Sequence, residues 1–251
     1  PRVQPTLANA VPSLANRLLD ADRDSVGLGR LRLLGCGGAA ISAEDFAGWH
    51  RRGVTVIQGY GLTEASPVIC SATPDNATAG WVGEFVDGWE YQIRDGRLFV
   101  RGPHVMVGYW DDPVATNERV DASGWLDTGD LVQRDPATEQ IRILGRADDV
   151  IVLDSGDKVH PQAIEREIER IEGVRHAMLV GVGRMIQAWI DGQWSGDIRE
   201  LRTEIAARLA DRPPWEIPTE VHLFDPSLDQ RAGELTSKGS LRRHVITKNR
   251  L

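Results

Sequence analysis

A glycine-rich stretch, IQGYGLTEAS at positions 57–66, places a hydroxyl and a carboxylate side by side directly after a strand-like run. Thr63 can donate or accept a hydrogen bond, and Glu64 carries the hard oxygens that divalent cations prefer. The glycines flanking Tyr60 open this turn, because a residue without a Cβ lets the backbone approach a neighbouring group closely. Such residues could hold an anion and a cation together, although the pattern also occurs in ordinary turns.

Three further glycine-punctuated clusters carry polar groups: LLGCGGAAIS (33–42), GWLDTGDLV (124–132) and ILGRADDVIVLDSGDKVHP (143–161). Each has a plain structural alternative. Gly-Gly after a strand is usually a turn, Thr-Gly-Asp can form an Asx-type turn, and Asp148-Asp149 can be a solvated charge pair. The order and spacing of all four clusters are more specific than any one of them.

The elements that would position the first clusters alternate between strand and helix within residues 1–80, after an amphipathic helix. RLRLLGC and VTVIQ are short strand-like runs. Ser42 followed by Asp45 is a capping signal for the start of a helix between them. Strand, helix and strand at this spacing predict an α/β segment with parallel pairing.

Residues 81–146 favour antiparallel strands. This stretch is rich in Val, Ile, Trp, Tyr and Phe, and Asp95-Gly96 separates two strand-like runs. Glycine supplies the positive φ that a tight hairpin turn needs. We expect a small antiparallel barrel or a twisted sheet here.

Residues 147–251 predict a small α+β unit. Pro161 suits the first turn of a helix, and Ile164, Ile168 and Ile171 form an apolar stripe along it. The other predicted elements are the strands DVIVL, VRHAMLVGV, QAWIDG and TEVHLF, a helix capped by Asp197, and a polar, glycine-containing tail.

Composition narrows the class of protein. The chain has 251 residues, 41% hydrophobic and 26% charged, with a net charge of −8. This excess of acidic residues argues against a nucleic-acid partner, and no apolar stretch is long enough for a membrane span. The first residues do not resemble a signal peptide. The two cysteines are far apart in the chain, which favours ordinary semi-buried thiols and a cytoplasmic location. The six histidines lack metal-ligand spacing, so we expect no structural metal.

Together, the clusters resemble those of the adenylate-forming superfamily, which includes acyl-CoA synthetases, firefly-type luciferases and the adenylation domains of peptide synthetases. The resemblance covers nearly the whole chain. It extends to VGYWDDPVAT (107–116) and to GELTSKGSLRR (233–243), which is similar to the family's C-terminal lysine motif. It implies the C-terminal part of a large adenylating domain, followed by a small mobile α+β lid domain.

The resemblance implies a nucleotide site. Gly38 and Ala39 match the stretch against which adenine lies, and Tyr60 would lie along the adenine and acyl pocket. Gly61 would let the backbone approach the nucleotide. Asp130 matches the carboxylate that accepts hydrogen bonds from both ribose hydroxyls.

The resemblance also implies catalytic and hinge residues. Thr63 would hydrogen-bond the α-phosphate, and Glu64 would supply an oxygen to Mg²⁺. Arg146 matches an arginine that reaches the ribose and phosphate region. Asp148 falls at the hinge about which the C-terminal domain rotates between the two half-reactions.

Two further matches lie in the C-terminal unit. The loop through Ser155 and Gly156 would line the tunnel for the pantetheine thiol. Lys238 matches the catalytic lysine, although it precedes Arg242 by four residues and Ser240 occupies the same slot in another alignment.

The function implied is an ATP-dependent acid–thiol ligase that uses ATP or AMP and Mg²⁺, with a carboxylic acid and CoA as substrates. A peptide-synthetase adenylation domain acting with a carrier protein stays open, as does a non-catalytic nucleotide-binding or interaction module. The chain contains no phosphate loop of the STSGTTGxPKG type. We therefore expect the C-terminal half of an adenylating enzyme, inactive or weak without its N-terminal half.

Overall fold

The computed structural model describes residues 3–22, 26–236 and 239–251. The chain divides into two compact units, residues 1–143 and 144–251. In the described residues, no helix is long and apolar enough to cross a membrane.

The α-helices of the described residues lie in both units. They are α1 (Pro12–Asp20), α2 (Ala43–Arg51), α3 (Pro113–Arg119), α4 (Pro161–Ile168), α5 (Ile198–Arg208) and α6 (Arg243–Arg250).

The strands follow in chain order. They are β1 (Leu7–Ala10), β2 (Leu33–Cys36), β3 (Thr55–Tyr60), β4 (Cys70–Ser71), β5 (Glu84–Phe85), β6 (Glu90–Arg94), β7 (Arg97–Arg101), β8 (Leu126–Arg134), β9 (Ile141–Arg146), β10 (Ile151–Val152), β11 (Lys158–Val159), β12 (Val174–Val182), β13 (Met185–Gly192) and β14 (Glu220–Leu223).

The first sheet of unit 1 has the order β1-β2-β3-β4-β5. Strands β1, β2 and β3 are parallel, as the strand–helix–strand spacing predicts, and β4 and β5 continue the sheet antiparallel. Leu34, Val56 and Trp49 are buried between this sheet and the helices beside it. The side chain of Ser42 accepts a hydrogen bond from the amide of Asp45 at 3.0 Å, which confirms the predicted start of α2.

The second sheet has the order β6-β7-β8-β9 and is open. Strands β6, β7 and β8 lie in unit 1, and β9 runs across the boundary after residue 143. The predicted hairpin is confirmed: Asp95 and Gly96 join β6 to β7 with φ of 50° and 80°. The closed barrel that we considered is wrong, because β6 and β9 stand at opposite ends of the strand order and do not pair. The alternative, a twisted antiparallel sheet, is the correct one.

Unit 2 is built on the sheet β12-β13-β14. Successive side chains of a strand point to opposite faces, so the two faces carry separate cores. The α4–α5 core contains Ile164, Ile168, Ile186, Ile190, Leu201 and Ile205. The α6 core contains Met178, Phe224, Leu228 and Ile246.

Three details of unit 2 differ from the predictions. Helix α4 ends at Ile168, so Ile171 is buried in the turn that follows rather than on the helix. In DVIVL, only Ile151–Val152 forms a strand, paired with β11 in a short hairpin. The polar tail that we expected contains the helix α6.

Both cysteines are free and buried, in agreement with the expectation of ordinary thiols. Burial raises the pKa of the Cys36 thiol to about 11, and it also raises the pKa of Cys70. Neither side chain therefore supplies a reactive thiolate near neutral pH.

Candidate active site

Two glycine loops leave the carboxyl ends of adjacent parallel strands. Cys36 at the end of β2 pairs with Gln58 in β3, so Gly37 and Gly59 follow side by side. A Cβ built on Gly37 would lie 3.7 Å from the carbonyl oxygen of Gly59. Gly38, with φ of 84°, continues into an exposed stretch. The carboxyl edge of a parallel sheet is where α/β proteins commonly bind ligands.

The loop after β3 is folded tightly against itself at Gly61. A Cβ at this position would lie 1.6 Å from the carbonyl oxygen of Pro67 and 2.7 Å from its carbonyl carbon. Since both atoms belong to the backbone, position 61 accepts only glycine without movement of the loop. Between Gly61 and Pro67, Thr63–Ala65 forms one turn of 3₁₀ helix, in which Thr63 is exposed and Glu64 is half-buried.

Glu64 is held by the segment that carries VGYWDDPVAT. The hydroxyl of Tyr109 donates a 2.7 Å hydrogen bond to Oε1 of Glu64, and the amide of Met106 donates to the Glu64 carbonyl oxygen at 2.8 Å. Burial raises the pKa of Tyr109, and the hydrogen bond and charge of Glu64 raise it further. The phenol therefore stays protonated as a donor that orients the carboxylate.

Tyr60 links the β3 loop to strand β8. Its hydroxyl donates a 2.6 Å hydrogen bond to Oδ2 of Asp130. Burial raises the pKa of Tyr60 well above its ordinary value, and the Asp130 charge adds to this effect. The amide of Asp130 donates to Oγ1 of Thr128 at 3.1 Å, and Thr128 donates in turn to the carbonyl oxygen of Leu98 at 2.7 Å. This chain of hydrogen bonds fixes the Asp130 backbone beside the phenol.

Unit 1 thus brings together several of the predicted site residues. Neighbouring parallel strands are followed by two of the predicted loops, one with Gly38 and Ala39 and one with Tyr60, Gly61, Thr63 and Glu64. Asp130 contacts the second of these loops through Tyr60. We did not assign a role to Tyr109 from the sequence. VGYWDDPVAT marks its segment, but no local signal indicates the contact with Glu64.

Five of the predicted residues belong to unit 2, residues 144–251. Arg146 ends β9, and Asp148 is exposed in the short 3₁₀ turn Ala147–Asp149. The hairpin between β10 and β11 carries Ser155, whose Oγ donates to Oδ2 of Asp157 at 2.6 Å, and Gly156, with φ of 89°. Lys238 lies outside the described residues.

The donor set at Glu64 suits a hard cation. Across the residues that the structure describes, no group of three His, Cys, Asp or Glu side chains forms a metal site. Mg²⁺ is commonly held by one or two carboxylates together with substrate phosphates and water rather than by a protein cage. The single oriented carboxylate of Glu64, on an open loop, fits that mode of binding.

The family "AMP-binding enzyme" matches residues 1–110, and "AMP-binding enzyme C-terminal domain" matches residues 148–192. A long-chain-fatty-acid–CoA ligase of Haemophilus influenzae is 37% identical over 90% of this chain and 42% of its own length. A feruloyl-CoA synthase of an Amycolatopsis species is 31% identical over 95% of this chain and 51% of its own. The crystal structure of ATP-bound MatB from Rhodopseudomonas palustris superimposes with a TM-score of 0.76 and 26% identity, over 97% of this chain and 50% of that one.

The open α/β sheet with glycine loops at its carboxyl edge, followed by an α+β unit, is the architecture of an adenylating enzyme. The chain belongs to the AMP-binding enzyme family, the adenylate-forming superfamily that its motifs resemble. It spans about half the length of the two relatives described above.

Proposed function

We propose that the enzyme containing this chain is an AMP-forming acid–thiol ligase, which activates a carboxylic acid as an acyl-adenylate and transfers the acyl group to CoA. The observation that carries this proposal is the hydrogen bond from Tyr60 to Asp130, because it sets an acceptor carboxylate beside the glycine loop that follows β3, at the carboxyl edge of the parallel strands. The two relatives are named for a fatty acid and for an aromatic acid, so the proposed substrate class is a carboxylic acid in general.

In the first half-reaction, an oxygen of the substrate carboxylate attacks the α-phosphorus of ATP, and the bond to pyrophosphate breaks. Catalysis of such a step rests mainly on positioning and charge stabilisation. We propose that adenine lies against Gly38 and Ala39, that Asp130 accepts hydrogen bonds from the ribose hydroxyls, and that Thr63 donates one to the α-phosphate. Thr63 is exposed at the loop surface, where it can reach a ligand.

Glu64 is the proposed protein ligand of Mg²⁺, which when bound offsets the negative charge of the phosphates. The Tyr109 hydroxyl donates a hydrogen bond to Oε1 of Glu64 and so limits the rotation of the carboxylate. A carboxylate that is already oriented loses less conformational freedom when a ligand binds.

In the second half-reaction, the sulfur of CoA attacks the acyl carbon, the bond from that carbon to the AMP oxygen breaks, and AMP leaves. We propose that Asp148 is the hinge between the two half-reactions and that the Ser155–Gly156 hairpin borders the path of the thiol. Arg146 would contact the ribose and phosphate region. The exposure of Asp148 and of the hairpin is compatible with backbone movement and ligand access.

Replacing Asp130 by alanine should weaken AMP binding by about 10- to 100-fold, since a hydrogen bond to a charged group contributes about 1.5–3 kcal/mol. Isothermal titration of the protein with AMP measures this loss. The matched control is Asp75→Ala, which removes an exposed carboxylate of the same unit and should leave the affinity unchanged.

Titration with 2′,3′-dideoxy-AMP tests the contact itself. If Asp130 binds the ribose hydroxyls, the wild-type protein should bind this analogue more weakly than AMP, and the Asp130→Ala variant should bind both alike. An AMP affinity in Asp130→Ala within threefold of wild type would remove Asp130 from the site.

A further inference from the structure

His176 stands opposite Asp191 on the sheet of unit 2. The two residues are cross-strand partners in β12 and β13, directly after a register shift between Val174 and His176. Such a bulge redirects the side chains next to it. Nδ1 of His176 lies 3.2 Å from Oδ2 of Asp191, whose side chain is fully buried.

The other nitrogen of this imidazole reaches the C-terminal segment. Nε2 of His176 lies 3.0 Å from the carbonyl oxygen of Gly239. A carbonyl oxygen and an ionised carboxylate can only accept hydrogen bonds, so both contacts form together only when the ring carries a proton on each nitrogen.

Further polar and charged groups lie next to His176 and Asp191. Nε of Arg175 lies 3.4 Å from Oδ2 of Asp191, and the amide of Leu228 donates to its Oδ1 at 3.2 Å. Glu169 accepts a hydrogen bond from the amide of Ala177 at 3.2 Å. Burial raises the pKa of Glu169, and this hydrogen bond and the nearby His176 offset only part of that rise. Asp191 is therefore anchored on several sides and can hold the imidazole in a fixed orientation.

The segment that His176 contacts pairs with residues 235–236; the described residues 235–236 and 239–241 are called the hairpin below. Leu235 and Leu241 form a β-bridge at its base, the amide of Thr236 donates to the carbonyl oxygen of Ser240 at 2.8 Å, and Gly239 has φ of 83°. The base is tied to helix α6 by the ion pair of Glu234 with Arg250 at 2.6 Å. Gly239 is bound near the other end of the hairpin and directly follows Lys238 in the chain.

We propose that His176, oriented by Asp191, is a positioning residue that holds the hairpin next to Lys238 through the carbonyl group of Gly239. This inference rests on the proposed function and on the role of Lys238 in adenylate formation. A lysine that must reach the reacting phosphate needs its backbone held in place, and a small displacement from a distant change can cost about 10²-fold in rate. His176 acts on that backbone and does not touch substrate.

The test compares His176→Ala with the wild type in two measurements on the complete enzyme. The first is hydrogen exchange of the backbone amides between residues 235 and 242, which should become at least tenfold faster in the variant. The second is the single-turnover rate of each half-reaction, with palmitate or ferulate as the acid. Adenylate formation should fall by about 10- to 100-fold. Thioester formation from supplied acyl-adenylate should change by less than threefold.

His222→Ala is the matched control, because this histidine lies in the same unit and contacts Trp189 and Glu220 instead. It should leave hydrogen exchange in the hairpin and both rates unchanged. His176→Gln, which retains a donor, should restore part of the protection.

Unchanged hydrogen exchange in His176→Ala would overturn the inference. Equal losses in both half-reactions would also overturn it, since they indicate a general structural role. If the wild-type enzyme forms no adenylate at all, the proposed function fails, and hydrogen exchange alone decides whether His176 holds the hairpin.

Discussion

Adenylate formation by the complete enzyme should fall by about 10²–10³-fold when Glu64 is replaced by glutamine, the loss typical for removal of one group that stabilises transition-state charge. Glutamine keeps the shape of the side chain but loses its negative charge. The rate of adenylate formation in a single turnover, measured over a range of Mg²⁺ concentrations, should show that the variant needs more Mg²⁺ for half its maximal rate.

Tyr109→Phe is the matched variant for this prediction. It removes only the hydroxyl that donates to Oε1 of Glu64 at 2.7 Å and leaves the carboxylate itself in place. Its rate should fall by less than about tenfold, because the net contribution of one hydrogen bond is about 0.5–1.5 kcal/mol. If Glu64→Gln retains more than a tenth of the wild-type rate and the same Mg²⁺ requirement, Glu64 is not the metal ligand.

Lys238→Ala should slow adenylate formation by about 10²-fold or more, while thioester formation from supplied acyl-adenylate stays nearly intact. The ammonium group would bridge the carboxylate and the α-phosphate as negative charge builds up, and it would leave the site before the thiol attacks. Single-turnover rates of the two half-reactions, measured separately, give the comparison.

The control is Lys248→Ala, because Lys248 is an exposed lysine on helix α6. It should leave both half-reactions at their wild-type rates. Equal losses in both half-reactions of Lys238→Ala would instead assign the lysine to the fold. No loss in either would mean that the catalytic cation is a different residue.

Features whose causes lie within a few residues were predictable from the sequence. Asp197 accepts a hydrogen bond from the amide of Arg199 at 2.8 Å and starts α5, and Pro161 starts α4. The Asp95-Gly96 turn joins two strands because both residues adopt a positive φ. Caps and tight turns depend on local backbone geometry, so short motifs report them reliably.

The C-terminal helix was missed because its cause lies elsewhere in the fold. Arg243–Arg250 is almost entirely polar, and Ile246 is its one fully buried apolar side chain. The two apolar residues of this stretch, Val245 and Ile246, are adjacent and cannot display a helical period. Packing of Ile246 against Met178 and Phe224, and the hydrogen bond from Arg243 to the Leu179 carbonyl oxygen at 2.5 Å, hold the helix on the sheet.

In the candidate site, too, the local features were predictable from the sequence and the contacts between distant residues were not. The glycine clusters indicated the loops, and their resemblance to the family proposed Thr63, Glu64 and Asp130 as site residues, whose roles stay predictions. The contacts between loops were beyond sequence reasoning: Tyr60 and Asp130 are 70 residues apart, and Glu64 and Tyr109 are 45 apart. Such pairs are formed by the strand order of the sheets, which a single sequence does not reveal.

The fate of carboxylate oxygen tests the proposed chemistry most directly. The complete enzyme would be supplied with ATP, CoA and either palmitate or ferulate labelled with ¹⁸O in the carboxylate. We predict the products AMP and pyrophosphate, with one ¹⁸O atom in the phosphate of AMP, because the carboxylate oxygen bonds to the α-phosphorus and stays there when sulfur displaces it from the acyl carbon. Formation of ADP with ¹⁸O in inorganic phosphate, or of thioester with unlabelled AMP, would contradict an acyl-adenylate intermediate.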